Sequence, residues 1–292
     1  MNVRELSAEA LARTREQPWR AWRNQIGILI QQELRGGLFT RRRLWIYLLA
    51  FAPTFMTFVN RFTHFSGSAD ASAFQEHTDV LDGIIQLYYV RLGLFFACMG
   101  IFSWLFRGEM VERTLHFAFL SPVRREVLVV GKFLAGAITA IIFFETALLG
   151  CSYFVYSRFG AMGMSYMFHG PGLHQLGSYM LVMALGVLGY GAVFLGLSLV
   201  FKNPIVPGAV FFGWEMITPI LPRTLQILSI TFYLKQLYPV PVTTSGILSL
   251  FTVVPEPLSS FTAIFGLLCF TAAVLVFCCY RIRKVEITYT TD

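Results

Sequence analysis

The sequence predicts an all-α integral membrane protein, and three observations support that fold class. The chain of 292 residues is 56% hydrophobic and 16% aromatic. Only 13% of its residues are charged, which is about half the share found in soluble domains. Apolar runs recur along the chain, each close to the roughly 20 residues that a helix needs to cross a bilayer. A soluble domain of this length could not bury that much apolar surface.

The net charge of +7 does not indicate a nucleic-acid binder, because the basic residues cluster at the ends of apolar runs. Six runs are candidate membrane spans, covering residues 44–62, 84–106, 127–156, 176–201, 205–221 and 261–280. With the N-terminus inside, 18 of the 23 Lys and Arg residues fall on the cytoplasmic side, whereas the first outer loop is acidic. Cytoplasmic loops carry such an excess of basic residues. We therefore expect both termini to lie in the cytoplasm.

Two further segments are not expected to span. Residues 19–38 place apolar side chains, two tryptophans among them, at helical spacing opposite a basic polar face, which predicts a helix lying in the cytoplasmic interface. In residues 223–258 the apolar pieces are too short to cross and are interrupted by prolines, which favours short interfacial or re-entrant helices on the outer side. Residues 1–18 form a tail without the apolar core of a signal peptide, and residues 1–292 are interpreted as a single membrane domain.

Ionisable groups inside the spans are candidates for function, because they are costly to hold in a bilayer. Three are present, Arg91, Glu145 and Glu215, and Trp214 lies beside the last of them. They could form a structural pair between Arg91 and an acid, a substrate pathway or gate, or a proton relay. Small residues also recur four apart in the spans, which predicts close helix packing either within or between subunits.

Motifs for catalysis, metal binding or nucleotide binding are not recognisable. His169 and His174 lie in a Gly-rich outer segment that offers too few ligands for a metal, so we expect a polar loop there. The dipeptide Gly131-Lys132 is followed by Phe133, where a phosphate-binding loop needs Ser or Thr to hold magnesium. We therefore expect no catalytic, cofactor or metal site in this chain, and no ATP hydrolysis by it.

The segment between the second and third spans, residues 109–120, predicts an amphipathic helix on the cytoplasmic side. Its polar face carries Glu109, Glu112, Arg113 and His116. Its apolar face carries Val111, Leu115, Ala118 and Phe119. Leu120 follows, and Pro122 ends the helix. The helix could simply orient two spans, or it could dock a cytoplasmic partner.

This stretch, ERTLHFAFLSPVRREVLVVGK, resembles the cytoplasmic loop of the permease subunits of second-class ABC-type exporters, the ABC-2 type transporter family. The residues that carry the resemblance are Glu112, Thr114, Leu115, Phe119, Pro122, Val123, Arg125, Leu128, Gly131 and Lys132. The sequence departs from the family at Arg113, where glycine is usual, at His116, where an acid is usual, and at Ala118. The family's layout also agrees along the whole chain: an interfacial helix, six spans with both ends inside, and short outer helices before the last span.

The resemblance implies a permease of an ATP-driven exporter in the bacterial inner membrane. Two permeases, either two copies or this chain and a homologue, would pair above two copies of a cytoplasmic ATPase that binds ATP and Mg. Residues 109–120 would be the coupling helix. Its docking residues would be Glu109, Glu112, Arg113, His116, Phe119, Leu120 and Pro122. Spans two and five commonly line the path in the family.

On that basis the pathway or gate candidates are Arg91, Glu145, Trp214 and Glu215. Membrane lipid and accessory subunits are further expected partners, and nucleic acid is not. Two alternatives stay open at this point: a scaffold or accessory subunit that does not transport, and a membrane-embedded enzyme using Glu145, Glu215 or the outer histidines.

Overall fold

The computed structural model describes residues 18–37, 44–63, 70–111, 120, 123–240 and 259–284, and these residues form helices and turns without a strand. In chain order the helices are α1 (Pro18–Gly37), α2 (Leu44–Thr63), α3 (Ala71–Gly83), α4 (Leu94–Val111), α5 (Arg125–Ser157), α6 (Gly160–His169), α7 (Gly172–Val200), α8 (Ile205–Ile217), α9 (Arg223–Gln226), α10 (Ile230–Lys235) and α11 (Ser260–Arg283). A π-helical segment, Ile84–Gly93, joins α3 to α4, and a 3₁₀ turn, Thr218–Ile220, extends α8.

Four helical stretches of the described chain are long and apolar enough to cross a membrane. They are Ala71–Gly108, Arg125–Ser157, Gly172–Val200 and Ser260–Arg283. These stretches contain the predicted second, third and sixth spans and all but the last residue of the fourth, 176–201. The predicted fifth span corresponds to a shorter apolar helix, Ile205–Ile220. The predicted first span forms α2, whose apolar character is reduced by Pro53 and Arg61, and its crossing of the membrane stays a prediction.

Helices α5 and α7 form the centre of the molecule. In each of them 67% of the most apolar stretch is buried, against 22% in α11, which lies at the periphery. Helix α7 packs extensively against α4 and α11, and α5 packs against α1, α2 and α7. Helix α11 is therefore largely exposed on the outside of the helix packing, whereas α5 and α7 contact mainly other helices.

Small residues allow this close packing, as the sequence predicts. The ring of Phe102, which is fully buried, lies against Gly136 of α5 and Gly191 of α7. A Cβ atom on Gly191 would lie 2.5 Å from Cζ of Phe102, and one on Gly136 would lie 3.0 Å from its Cε1, so larger residues would push the helices apart. The sequence left open whether such contacts lie within one subunit or between two, and these lie within one chain.

Two segments that the sequence predicts as loops are helical. Helix α3 occupies the acidic outer segment before the second span, and it buries Phe74, Thr78 and Leu81 at helical spacing. The Gly-rich segment expected to be a polar loop contains the end of α6 at His169 and the start of α7 at Gly172. The predicted polar loop is thus limited to Gly170 and Pro171, because these two turn-forming residues are enough to join the helices.

Several predictions fall on residues outside the described ranges. These are the tail before residue 18, the prolines of the outer segment within residues 241–258, and most of the coupling helix, residues 112–119, 121 and 122. The predicted docking residues Glu112, Arg113, His116, Phe119 and Pro122 therefore lie outside the described residues. Glu109 lies in the last turn of α4, and the side chain of Leu120 is 79% exposed.

Candidate functional site

The described part of the family-like stretch is the beginning of α5, where side chains from residues 124–132 contact α1, α4 and α11. We call this set of contacts the α5 junction. Its deepest member is Lys132, whose ammonium group lies 2.6 Å from Oε1 of Glu33 in α1. The Lys132 side chain is 3% exposed and that of Glu33 is 22% exposed. A charge this deeply buried requires a partner, because its desolvation is costly.

An aromatic ring also faces the ammonium group. Nζ of Lys132 lies 5.6 Å from the centre of the Phe106 ring in α4, within the range of a cation–π contact. Lys132 therefore holds α1 on one side and contacts α4 on the other. These two contacts offset the cost of burying the lysine's charge among the packed helices.

Gly131 lets α1 approach α5 closely. A Cβ atom at this position would lie 2.7 Å from Cδ1 of Leu29 in α1, well inside van der Waals contact. Alanine would therefore displace the leucine or the helix that carries it. The dipeptide Gly131-Lys132 thus acts as one docking surface for α1, in which the glycine provides space and the lysine provides charge.

About two turns before Lys132, a second contact fixes the direction of α1. The guanidinium carbon of Arg124 lies 5.1 Å from the centre of the Trp22 ring. Trp22 and Glu33 are eleven residues apart, which places the two contacts roughly 16 Å apart along α1 at 1.5 Å per residue. Because contacts at two separated points define an axis, α1 is held along the beginning of α5.

The same end of α5 holds the end of α11. Nη1 of Arg125 donates to the carbonyl oxygens of Ile282 at 3.4 Å and Arg283 at 3.3 Å. These belong to the last turn of α11, where unpaired carbonyls and the helix dipole favour a cation. Nε of Arg283 in turn donates to Oε1 of Glu126 at 2.5 Å. A shallow open depression of about 480 Å³ lies among Val123 and these charged side chains.

Together, the contacts of the α5 junction attach α1, α4 and α11 to the beginning of α5. The residues immediately before it, up to position 122, are those of the predicted coupling helix. The chain runs directly from that segment into the start of α5, the point to which these three helices are attached. From the sequence, Lys132 was considered as part of an incomplete phosphate-binding motif and as a residue of the family resemblance, and Glu33 was not singled out. A lysine within an apolar run opposite an acid in an interfacial helix was the available signal.

Glu215, a predicted pathway residue, is buried, and both of its carboxylate oxygens accept hydrogen bonds. Its carboxylate accepts hydrogen bonds from the backbone amides of Ile230 at 3.0 Å and Thr231 at 3.1 Å, and from the Ser229 hydroxyl at 2.8 Å. The Tyr190 hydroxyl lies 3.5 Å from Oε2. Since those amides open helix α10, Glu215 acts as an N-terminal cap supplied by a different helix.

The remaining predicted pathway residues are Arg91, Glu145 and Trp214. Within the described ranges, Arg91 forms no ion pair with Glu145 or Glu215, so the proposed structural pairing of arginine and acid is not present. One carboxylate oxygen of Glu145 is buried without a hydrogen-bond partner among the described residues. Trp214 is half-buried at the end of α8. Among the described residues, no hydrogen bond or ion pair joins any two of these four side chains.

Comparison with known proteins gives no family assignment: no protein-family model matches the chain, and a search of the curated proteins found no match.

Proposed function

We propose that this chain is the permease subunit of an ATP-driven exporter of the ABC-2 type, which forms the membrane pathway and docks separate cytoplasmic ATPase subunits. In this proposal the chain crosses the membrane six times with both ends in the cytoplasm. It pairs with a second permease, and two ATPase subunits supply the nucleotide and magnesium. Residues 109–120 are the coupling helix that contacts the ATPase.

The observation that carries the proposal is the α5 junction. The residue stretch that resembles the exporter loop ends in Gly131-Lys132, and both of these residues hold the neighbouring helix α1 by contact and by charge. A permease needs such a connection, because force applied by an ATPase at the loop has to reach the membrane helices. A loop that only joined two spans would have no requirement for a buried ion pair at its far end.

The arrangement of the helices is also consistent with this role. Arg125 and Glu126 at the start of α5 contact Ile282 and Arg283 at the end of α11, so the two helices run antiparallel. In the proposed topology this common end faces the cytoplasm, as does α1. The basic residues of the junction then lie where basic residues are favoured.

The role of Glu215 is revised within the proposal. Its hydrogen bonds to the start of α10 favour a role in positioning the short helices that follow α8, rather than direct contact with a transported molecule. Glu145, with an oxygen lacking a described partner, becomes the stronger pathway candidate.

The experiment that tests this function is an uncoupling assay with the chain and its ATPase co-purified and reconstituted. The double variant Glu112→Lys/Pro122→Gly should insert normally and bind ATPase poorly, so that transport falls while membrane levels stay unchanged. Glu76→Lys, a matched charge reversal at an exposed position of α3 on the proposed outer side, is the control and should leave transport unchanged.

Wild-type coupling in the Glu112/Pro122 double variant would contradict the docking role. A chain that recruits an ATPase but supports no transport with any permease partner would favour the alternative of a scaffold or accessory subunit. Activity of the isolated chain without any ATPase would overturn the proposal as a whole.

A further inference from the structure

A groove lies between the second half of α2 and the helix formed by α3 and the π-helical segment. It encloses about 510 Å³, which is within the range of about 300–1,000 Å³ typical of small-molecule sites. Its apolar walls are formed by Phe55, Met56, Val59, Val80, Leu81 and Ile84. Val155 of α5 also lines it.

The groove opens toward the face that the membrane would cover. Phe55 and Met56 on one wall are 67% and 70% exposed, and Val80 on the other wall is 53% exposed. Large apolar side chains flanking a cavity on a membrane-embedded helix pair contact hydrocarbon rather than water. A molecule in the groove would therefore enter sideways from the lipid.

The polar groups of the groove lie at one end. Helix α2 runs toward Asn60, and α3 runs away from His77, so both side chains are at the end where α2 finishes. Arg158, just after α5, places Nη1 3.3 Å from Nε2 of His77. This end combines an amide with two basic side chains.

The rest of the wall presents little polarity. Thr57 lies midway along the groove, but its hydroxyl donates to the Thr54 carbonyl oxygen at 2.9 Å and lies 3.8 Å from Sγ of Cys151. Its hydrogen-bonding capacity is therefore directed into the protein. The groove is amphipathic along its length, with hydrocarbon-like walls and a basic end.

We propose that this groove binds one membrane phospholipid, with an acyl chain along its apolar walls and the phosphate against Asn60, His77 and Arg158. From His77 to Ile84 the groove runs seven residues, roughly 10 Å at 1.5 Å per residue, which accommodates the first half of an acyl chain below its headgroup. A peptide or a glycan does not suit these walls, because either would need hydrogen-bonding partners along its length. The inference requires only that the chain is membrane-embedded, and it goes beyond the exporter function.

The test uses the purified full chain, without any ATPase, in nanodiscs of phosphatidylcholine and phosphatidylglycerol. A trace of phosphatidylglycerol carries a photoreactive diazirine midway along one acyl chain, and adducts are mapped by mass spectrometry. We expect adducts concentrated in residues 55–60 and 77–84. Val80→Trp, which fills the groove, should lower them about fivefold or more, as expected when a ring takes the space of a ligand.

Val276→Trp on α11 is the matched control, since this valine is 70% exposed on an apolar helix away from the groove. It should leave the adducts unchanged. Should Val80→Trp fail to fold, as judged by size-exclusion chromatography, Met56→Trp fills the same groove from the opposite wall. Labelling spread over all lipid-facing helices in proportion to their exposure, and unaffected by either groove variant, would overturn the inference in favour of ordinary surrounding lipid.

The phosphate contact is tested with the same photoreactive chain on a diacylglycerol, which lacks a phosphate. His77→Ala should reduce groove adducts of the phosphatidylglycerol probe by about fivefold, the loss of one charge-assisted hydrogen bond, and should leave those of the diacylglycerol probe unchanged. Equal reduction, or no reduction, for the two probes would overturn the assignment of the basic end. None of these outcomes bears on ATPase docking, so the two proposals fail separately.

Discussion

For the ion pair between Lys132 and Glu33, we predict that removing the glutamate destabilises the protein more than removing the lysine. Glu33→Ala removes the carboxylate that lies 2.6 Å from an ammonium group whose side chain is only 3% exposed. Breaking a buried ion pair from one side costs roughly 3–5 kcal/mol. We expect about 3 kcal/mol in the free energy of unfolding, the lower end of that range, because the Phe106 ring still faces the ammonium group.

Lys132→Met should be much milder. Methionine fills a similar volume, and the remaining Glu33 carboxylate, 22% exposed, can turn toward water at the membrane surface. We expect a loss of about 1 kcal/mol, close to that of an exposed pair. The double variant Lys132→Met/Glu33→Ala should then be more stable than Glu33→Ala alone, with a coupling energy of about 2 kcal/mol.

The assay is reversible unfolding of the four proteins of this double-mutant cycle in the same lipid nanodiscs, followed by intrinsic fluorescence or by steric trapping. Arg283→Ala serves as a comparison, since its pair with Glu126 is 65% and 30% exposed and should contribute less than about 1 kcal/mol. The prediction would be refuted if Glu33→Ala and Lys132→Met lowered the free energy of unfolding equally, or if their effects simply added in the double variant. Either result would mean that burial of the lysine does not determine the energy of the pair.

Two further predictions concern the centre of the molecule. Gly191→Leu should lower the free energy of unfolding by about 2 kcal/mol or more, because its Cβ would lie 2.5 Å from the Phe102 ring. The control Gly177→Leu, whose Cβ would have no atom within 4 Å, should leave thermal unfolding unchanged within error. Similar losses of stability at both glycines would argue against this explanation of the packing. Glu215→Ala should cost about 3 kcal/mol, since buried donors lose their acceptor, and should first increase hydrogen exchange at the Ile230 amide. A Glu215→Ala protein of unchanged stability but altered transport would instead support a direct pathway role.

Much of the helical layout follows from the sequence because the bilayer imposes a simple requirement of length and apolarity. Residues 176–201 and 261–280 were predicted as spans, and the structure has long apolar helices at Gly172–Val200 and Ser260–Arg283. The outer helix α3 was missed because its charges mark it as a loop by composition. Its buried residues Phe74 and Leu81 nevertheless follow helical spacing.

The polar contacts were harder to predict, because they depend on which helices become neighbours. Glu215 was identified because a charged side chain within a span is energetically costly. Its partners are backbone amides fifteen and sixteen residues later, which no pattern in the sequence marks. Glu33 was not singled out, since an acid on an interfacial helix looks solvated until Lys132 is placed beside it. For Glu215, the cost of the buried charge could be inferred from the sequence, but the identity of its partners could not.

The proposed function depends on contact between a cytoplasmic ATPase and the segment that joins α4 to α5, and site-specific cross-linking in native membranes can detect that contact. A photoreactive amino acid is placed at position 120, where the Leu120 side chain is 79% exposed, in the full-length chain. The matched control carries it at position 261, where Phe261 is 76% exposed near the opposite end of α11. The account predicts that position 120, and not position 261, cross-links to a soluble subunit carrying an intact nucleotide-binding loop. Cross-linking of position 120 to lipid or to other proteins, with no ATPase captured, would contradict it.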